Sequence, residues 1–473
     1  SLIMKRGNLI ALIACAVLVV SIPSTVRAQV DGYHFTGINF DFSNPGARAR
    51  GIGGAFVALA DDSSAALANP AGLAFLDRQF SLELIRDQEK SPVGQVTQGG
   101  VTIEGSGLDY TYTAANDPYR VWSDSTSNRI NNASFVLPIP KAHLGLAVYY
   151  ATLADLDQEY EVGPGLMCTQ NGSSFLPGAG AGCGTLDEYS ELYTPFNVSA
   201  RLQSELFGVG LGWALGDSFA IGGSVAYAKT TFDGSSHSPG LQDDDGLPLT
   251  GTLTQTSSID DTDVMYSVGV LYRGGLVGVG VNYRSEMSFG IDSDLLDADG
   301  NPIPDQDFTG EFRIPERLAA GIAFFPGDNW VIATEYVRLP YSTIPEGMPE
   351  QFDIVRQLAG VTYESADVSE IHVGAEYTTF TSGKGWSIRA GYWRDESHLS
   401  YSSQGYDDPI QDPTDFNEYV RAAASLLFQE LDLSFDHYTV GFGASIGKFR
   451  FDLAADYSPD VGTDYLISGV FYF

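Results

Sequence analysis

The pentapeptide Gly443-Ala444-Ser445-Ile446-Gly447 has the G-x-S-x-G spacing of a nucleophile elbow. In that motif a sharp strand-to-helix turn exposes a serine hydroxyl to a histidine base. Here Phe449 to Tyr457 alternate as a strand and open no helix, so Ser445 is expected beside an ordinary turn. Gly51-Ile52-Gly53-Gly54 has the glycines of a phosphate loop, but no strand precedes it and no βαβ unit follows. The acids Asp292, Asp294, Asp297, Asp299, Asp305 and Asp307 surround Gly300-Asn301. Aligned on Gly300, an EF-hand frame puts Leu295 first and Gln306 last, where carboxylates belong, and the frame fails. What survives is a loose acidic surface, with Asp243-Asp244-Asp245 and Asp260-Asp261, able to gather divalent cations. No catalytic residue, cofactor or dedicated metal site is expected.

The cysteines point to structure. Of three, Cys15 lies in a leader: basic Lys5-Arg6, apolar Leu9 to Val20, then the small-residue site Val26-Arg27-Ala28. This is the form of a secretory signal peptide covering residues 1–28, its apolar stretch too short to span ~30 Å of hydrocarbon. Cys168 and Cys183 bracket a Gly/Ser/Pro-rich stretch with no histidine inside it. In an oxidising envelope they are expected to form a disulfide stapling a long loop, worth ~3 kcal/mol by loop closure.

The elements that would carry these residues follow from charge and periodicity. Lysines and arginines number 25 against 60 acids, a formal charge of −35, which excludes a basic-patch nucleic-acid binder. No apolar run of ~20 residues follows the leader, so any membrane crossing must use strands. Period-2 alternation is widespread. Phe207, Val209, Leu211 and Trp213 share one face against Gly208, Gly210 and Gly212; Tyr438, Val440, Phe442 and Ala444 oppose Thr439, Gly441 and Gly443. The segments are long, and their apolar faces end in Tyr or Trp. Short turns at Leu137–Ala142, Gly216–Asp217, Arg273–Gly275, Pro326–Asn329, Ser382–Lys384, Gly447–Lys448 and Ser458–Thr463 alternate with long polar stretches such as 89–128, 163–194, 233–250 and 293–305. This predicts an all-β fold: a transmembrane antiparallel β-barrel of about fourteen strands over residues 78–473, with short periplasmic turns and long external loops. The loops would face lipopolysaccharide and outer-membrane lipid. The apolar run Ala422 to Phe428 is a candidate wall of an external groove.

Residues 29–77 do not alternate. Small residues dominate from Asn44 to Ala60, and Asp61-Asp62-Ser63 can cap a short helix, Ser64 to Ala68, ended by Asn69-Pro70. Such a segment suits a small helical hatch inside the lumen. Charges read as lumenal are Arg284, Glu286, Arg313, Arg317, Glu376, Arg389, Asp452 and Asp456, a candidate network pairing wall to hatch.

Gly46-Ala47-Arg48-Ala49, then Ala60-Asp61-Asp62-Ser63-Ser64-Ala65 and Asn69-Pro70-Ala71-Gly72-Leu73, resemble the N-terminal hatch of the FadL family of outer-membrane transporters. Glu316 to Gly321, Phe325 to Trp330 and the terminal Phe471-Tyr472-Phe473 extend the resemblance through the barrel. It implies passive uptake of a hydrophobic small molecule, such as a long-chain fatty acid or aromatic hydrocarbon. Ligand would pass an apolar groove under the loops, then the hatch, then a lateral gap at a kinked third strand. That strand should be Leu144 to Val162, with no Gly or Pro between Leu146 and Val162 to mark a kink. Asp61, Asp62, Asn69, Pro70, Ala71 and Gly72 are expected to hold the hatch and gate. The alternative is a plugged barrel that anchors or shuttles a secreted partner protein.

Overall fold

The computed structural model describes residues 40, 42–96, 102–103, 110–111, 119–162, 165–170, 173–175, 189–193, 196–238, 253–297, 299–343, 363–396, 401–402 and 434–473. The leader, Cys183 and Ala422 to Phe428 lie outside these residues.

Fourteen antiparallel strands close into a barrel. They are β1 (Gln79–Val96), β2 (Tyr119–Ile139), β3 (Leu144–Val162), β4 (Phe196–Ala214), β5 (Phe219–Ser238) and β6 (Leu253–Arg273). β7 and β8 each come in two pieces, Val277–Arg284 with Met287–Leu296 and Pro302–Ile314 with Arg317–Phe324. Then follow β9 (Trp330–Leu339), β10 (Val368–Thr381), β11 (Lys384–Asp395), β12 (Phe435–Ile446), β13 (Phe449–Ser458) and β14 (Gly462–Tyr472). Each strand pairs with its chain neighbour, and β14 returns to β1 through Gln79 opposite Tyr472. In the turn-side half closure leaves no open sheet edge, the condition for spanning a bilayer with strands.

Alternation sorts the side chains. Val209, Val225, Val268 and Val440 point outward and stay 51–59% exposed, a lipid-facing belt that a water-soluble barrel would not present. Trp213, Trp330 and Phe449 mark its turn end. Phe473 ends the chain there, its N–H donating to the Arg78 carbonyl at 3.1 Å.

Among the expected connections that differ, two stand out. The stretch 293–305, read as a long polar loop, is mostly the extended hairpin of β7 and β8, joined by a tight turn at Asp297–Asn301. It stands beyond the lipid belt, where polar residues occupy the outward face of a strand and hide its alternation. The turn Ser458–Thr463 lies at the loop end, because β13 begins at the turn end with Phe449. Arg313, read as lumenal, sits on the outward parity between buried Phe312 and Ile314, 3.8 Å from Glu286.

The hatch fills the turn-side half of the lumen. It consists of α1 (Ala47–Gly51), α2 (Ala65–Ala68) and a 3-10 turn (Pro70–Phe75). The wall admits it because the inward residues there are glycines. A Cβ on Gly145, Gly222, Gly269, Gly280, Gly374 or Gly391 would lie 1.9–2.3 Å from hatch backbone or the Asn69 side chain. Hatch and wall are therefore packed backbone to backbone, leaving no room for a side chain between them.

Candidate functional site

The predicted hatch residues form its frame. Asn69 is wholly buried; its Nδ2 donates to the carbonyls of Val57 (2.9 Å) and Val270 (3.1 Å), and its Oδ1 accepts the Ala71 N–H. One side chain thus ties the hatch to itself and to β6. Pro70 starts the 3-10 turn, where a missing N–H costs nothing, and a Cβ on Gly72 would strike the Ala60 carbonyl at 2.2 Å. Asp62 accepts the Ser64 N–H at 3.1 Å; the cap expected from Asp61 to Ser63 is not formed, because the residue before α2 is Ser64 and no side chain caps the helix.

Charged side chains of hatch and wall meet in a chain of ion pairs. Asp62 meets Arg450 (2.6 Å), Arg450 meets Asp452 (2.7 Å), and Asp452 meets Arg389 (2.8 Å). Arg389 contacts Glu376, Glu376 accepts from Arg48 at 2.9 Å, and Arg48 contacts Asp61. The chain alternates in sign from hatch to wall and back, so each buried charge has an opposite neighbour. Arg317 belongs to a second node. Glu335 accepts from Arg317 (2.7 Å), from Asn44 Nδ2 (2.9 Å), and from the backbone N–H groups of Phe56 and Val57 (both 2.8 Å). His372 adds a third tie, its ring nitrogens 2.6 Å from the Gly53 carbonyl and 2.9 Å from Glu370, its ring stacked on Trp393. Arg284 is buried in the wall, with Arg317 as its register partner on β8.

Sequence reasoning missed Glu335, Arg450, His372, Arg48 and Arg50 as network members. The signal was available for Glu335: a carboxylate on the same parity as Ala333, Val337 and Leu339 must face inward. Arg50, which meets Asp456 at 3.1 Å, had no such signal because the hatch has no period.

The loop-side half of the lumen is different chemistry. Phe40 and Phe42, just before the hatch, pack with Phe232, Phe289, Phe312 and Tyr341 in one buried apolar cluster. The Phe40 and Phe312 rings are 6.0 Å apart and those of Phe42 and Tyr341 6.1 Å. Wall leucines Leu153, Leu156, Leu202 and Leu206 join them.

The wall of this apolar half is unzipped between β2 and β3. β2 and β3 pair from Ile139–Leu144 only as far as Asn132–Ala151. Beyond that point β2 continues against β1 alone and β3 against β4 alone. Bulges flank the opening on both sides: Asn131 is the extra residue of β2 against β1, and Leu153 the extra residue of β3 against β4. A bulge bends and twists its strand, so two at one level splay the pair apart. Side chains finish the seam: Asn132 Nδ2 donates to the Tyr150 carbonyl (3.0 Å) and Thr152 Oγ1 to the Ile130 carbonyl (3.0 Å). The bulge in the third strand is thus made without glycine or proline.

Of the other predicted sites, Ser445 lies on β12 two residues before the Gly447 turn, with Arg450 and Gly385 as its register partners. Asp297 spends its carboxylate on the backbone N–H groups of Asp299 and Asn301. Among the described residues no group of three or more metal-ligating side chains converges.

No family model matches this sequence, and neither does any curated protein. Solved structures do. A FadL homologue of Pseudomonas aeruginosa superposes with a TM-score of 0.57 at 13% identity, over 93% of this chain and 99% of that one. The fold is that of the FadL homologue. The toluene transporter TbuX of Ralstonia pickettii gives 0.53 at 14%, over 92% and 99%. The toluene transporter TodX of P. putida gives 0.51 at 14%, over 92% and 99%. At such identities the FadL-type likeness is one of architecture, and it covers nearly the whole of each chain.

Proposed function

We propose that this protein is an outer-membrane channel through which hydrophobic small molecules diffuse inward. The observation that carries the reading is the unzipped β2–β3 seam, which opens an apolar lumen sideways, above a hatch that fills the lumen below. A ligand entering from the loop side meets Phe, Leu and Tyr side chains and then the hatch. The route of least desolvation runs through the seam into lipid, because the ion-paired region below is hostile to an apolar molecule. Asn69, Pro70, Ala71, Gly72, Asp61 and Asp62 set the hatch's position and so the floor of the path. The toluene transporters TbuX and TodX, which share the fold, support a hydrocarbon cargo, and a fatty acid is the other member of the same class.

Displacement of a fluorescent fatty acid from the purified, folded protein tests the reading, with toluene, alkanes and glucose as competitors. Saturable binding, displaced by an apolar class and not by glucose, is expected. A folded barrel that binds none of them overturns the channel reading in favour of a plugged anchor for a partner protein.

A further inference from the structure

We infer that the lipid face of β2 to β6 carries a groove that receives the ligand as it emerges from the seam; this rests on the channel reading above. Outward residues on these strands lie in straight cross-strand rows. One row runs Leu137, Leu146, Leu211, Gly223, Val268, each directly opposite the next. The row on its loop side runs Phe135, Val148, Val209, Val225, Tyr266. Every member carries a large apolar side chain except Gly223. The missing side chain leaves a notch between Leu211 and Val268, within an apolar depression of about 700 Å³.

The notch is not a packing necessity. The inward glycines are glycines because the hatch backbone leaves no space, whereas a Cβ on Gly223 would meet only the Ser267 carbonyl, at 3.4 Å. Nor is it covered from within the wall. The outward Gly469, on β14, has the Phe451 ring 3.9 Å from where its Cβ would be. No side chain comes within 4 Å of that position at Gly223.

Its place decides the occupant. The next row toward the loops is an aromatic ledge of Tyr150, Phe207 and Tyr227, the first two with ring centroids 5.1 Å apart. Tyr150 is also the residue whose carbonyl accepts the Asn132 rung at the edge of the opening. Ledge and seam therefore share a residue, and the groove begins directly below. A molecule leaving the lumen passes the ledge and meets an apolar trough before bulk lipid. The gain there is dispersion contact with a fixed concave wall, since lipid tails are as apolar as the wall itself. That favours a rigid or flat uncharged molecule over a flexible chain, which bulk lipid accommodates equally well. The groove's occupant is thus an uncharged hydrocarbon, aromatic before aliphatic.

The test fills the notch. Gly223→Leu and, as a far-wall control, Val440→Phe are compared with the wild type in liposomes for toluene uptake, and in detergent for toluene displacement of the lumenal probe. Several-fold slower uptake in Gly223→Leu, with displacement unchanged and the control normal, supports the groove. Equal uptake by wild type and Gly223→Leu overturns it. If Gly223→Leu does not assemble, a diazirine-bearing toluene analogue is photolysed with the wild type: labelling at Leu146, Leu211 or Val268 that excess toluene suppresses supports the groove. Labelling there that only added lipid suppresses identifies a bound membrane lipid and overturns it. A wild type that neither binds nor passes toluene or fatty acid refutes the channel reading itself, a separate outcome.

Discussion

Replacing Glu335 by leucine should unlatch the hatch. The carboxylate is 2% exposed and takes donors from both sides: Arg317 from the wall, and Asn44, Phe56 and Val57 from the hatch. Leucine has nearly the right volume but leaves the buried Arg317 without this counter-charge and removes the acceptor of the Phe56 and Val57 N–H groups. Breaking a buried ion pair from one side costs roughly 3–5 kcal/mol. Each orphaned buried N–H adds about 1–3 kcal/mol where water cannot reach it. The barrel ladder does not depend on these bonds, so the cost falls on hatch seating, and even 3 kcal/mol means a population of unseated hatch raised at least about 100-fold. Hydrogen exchange followed by mass spectrometry reads this directly as faster exchange of the peptide containing Phe56 and Val57, with strand peptides of β12 to β14 unchanged. Single-channel recording should show added open events of the same variant. Exchange at Phe56 and Val57 within about threefold of wild type would refute the reasoning, because it would place the latch energy below about 0.7 kcal/mol.

Gly280→Ala should lower the melting temperature and accelerate hatch exchange, since its Cβ would lie 2.1 Å from the Val57 carbonyl; overpacking of this kind costs about 1–3 kcal/mol. Gly223→Ala, whose Cβ would meet only the Ser267 carbonyl at 3.4 Å, should leave both unchanged in the same assays. Asp297 accepts the Asn301 and Asp299 N–H groups, which hold its carboxyl below the ordinary aspartate value. The contribution is therefore full above the usual aspartate range and lost as pH falls through the lowered value. A titration midpoint at or above that of a model aspartate, measured by NMR on labelled protein, would contradict it. Cys168 and Cys183 should resist a thiol reagent in the mature protein until it is reduced; labelling before reduction would remove the disulfide.

The belt of the barrel was legible because lipid on one side and glycine or polar groups on the other force strict alternation. Leu144–Val162 is both the predicted and the observed third strand. Beyond the lipid that contrast vanishes, so the loop-end parts of β1 and β2 and the stretch 293–305 of the hairpin Met287–Ile314 read as polar loop. The hatch motif located the frame residues Asn69 to Gly72, whose backbone-to-backbone fit with Gly222 and Gly269 is a property of two distant segments and has no local mark. The candidate charges Arg317, Glu376, Arg389 and Asp452 were found by inward parity. Their partners Arg48 and Asp61 sit in an aperiodic segment that offers no parity to read. The seam was the least visible feature: the extra residues Asn131 and Leu153 look like any others, and a bulge is defined only against the partner strand.

The channel reading depends most on the β2–β3 seam. Ile130→Cys with Thr152→Cys places a reversible lock across its first open step, where Thr152 Oγ1 now reaches the Ile130 carbonyl at 3.0 Å. Toluene and fatty-acid uptake into liposomes would be measured with the pair oxidised and then reduced, beside wild type treated identically. Uptake that stops on oxidation and returns on reduction, with ligand binding in detergent retained throughout, is the predicted result. Undiminished uptake through a fully oxidised, correctly folded barrel would contradict lateral passage.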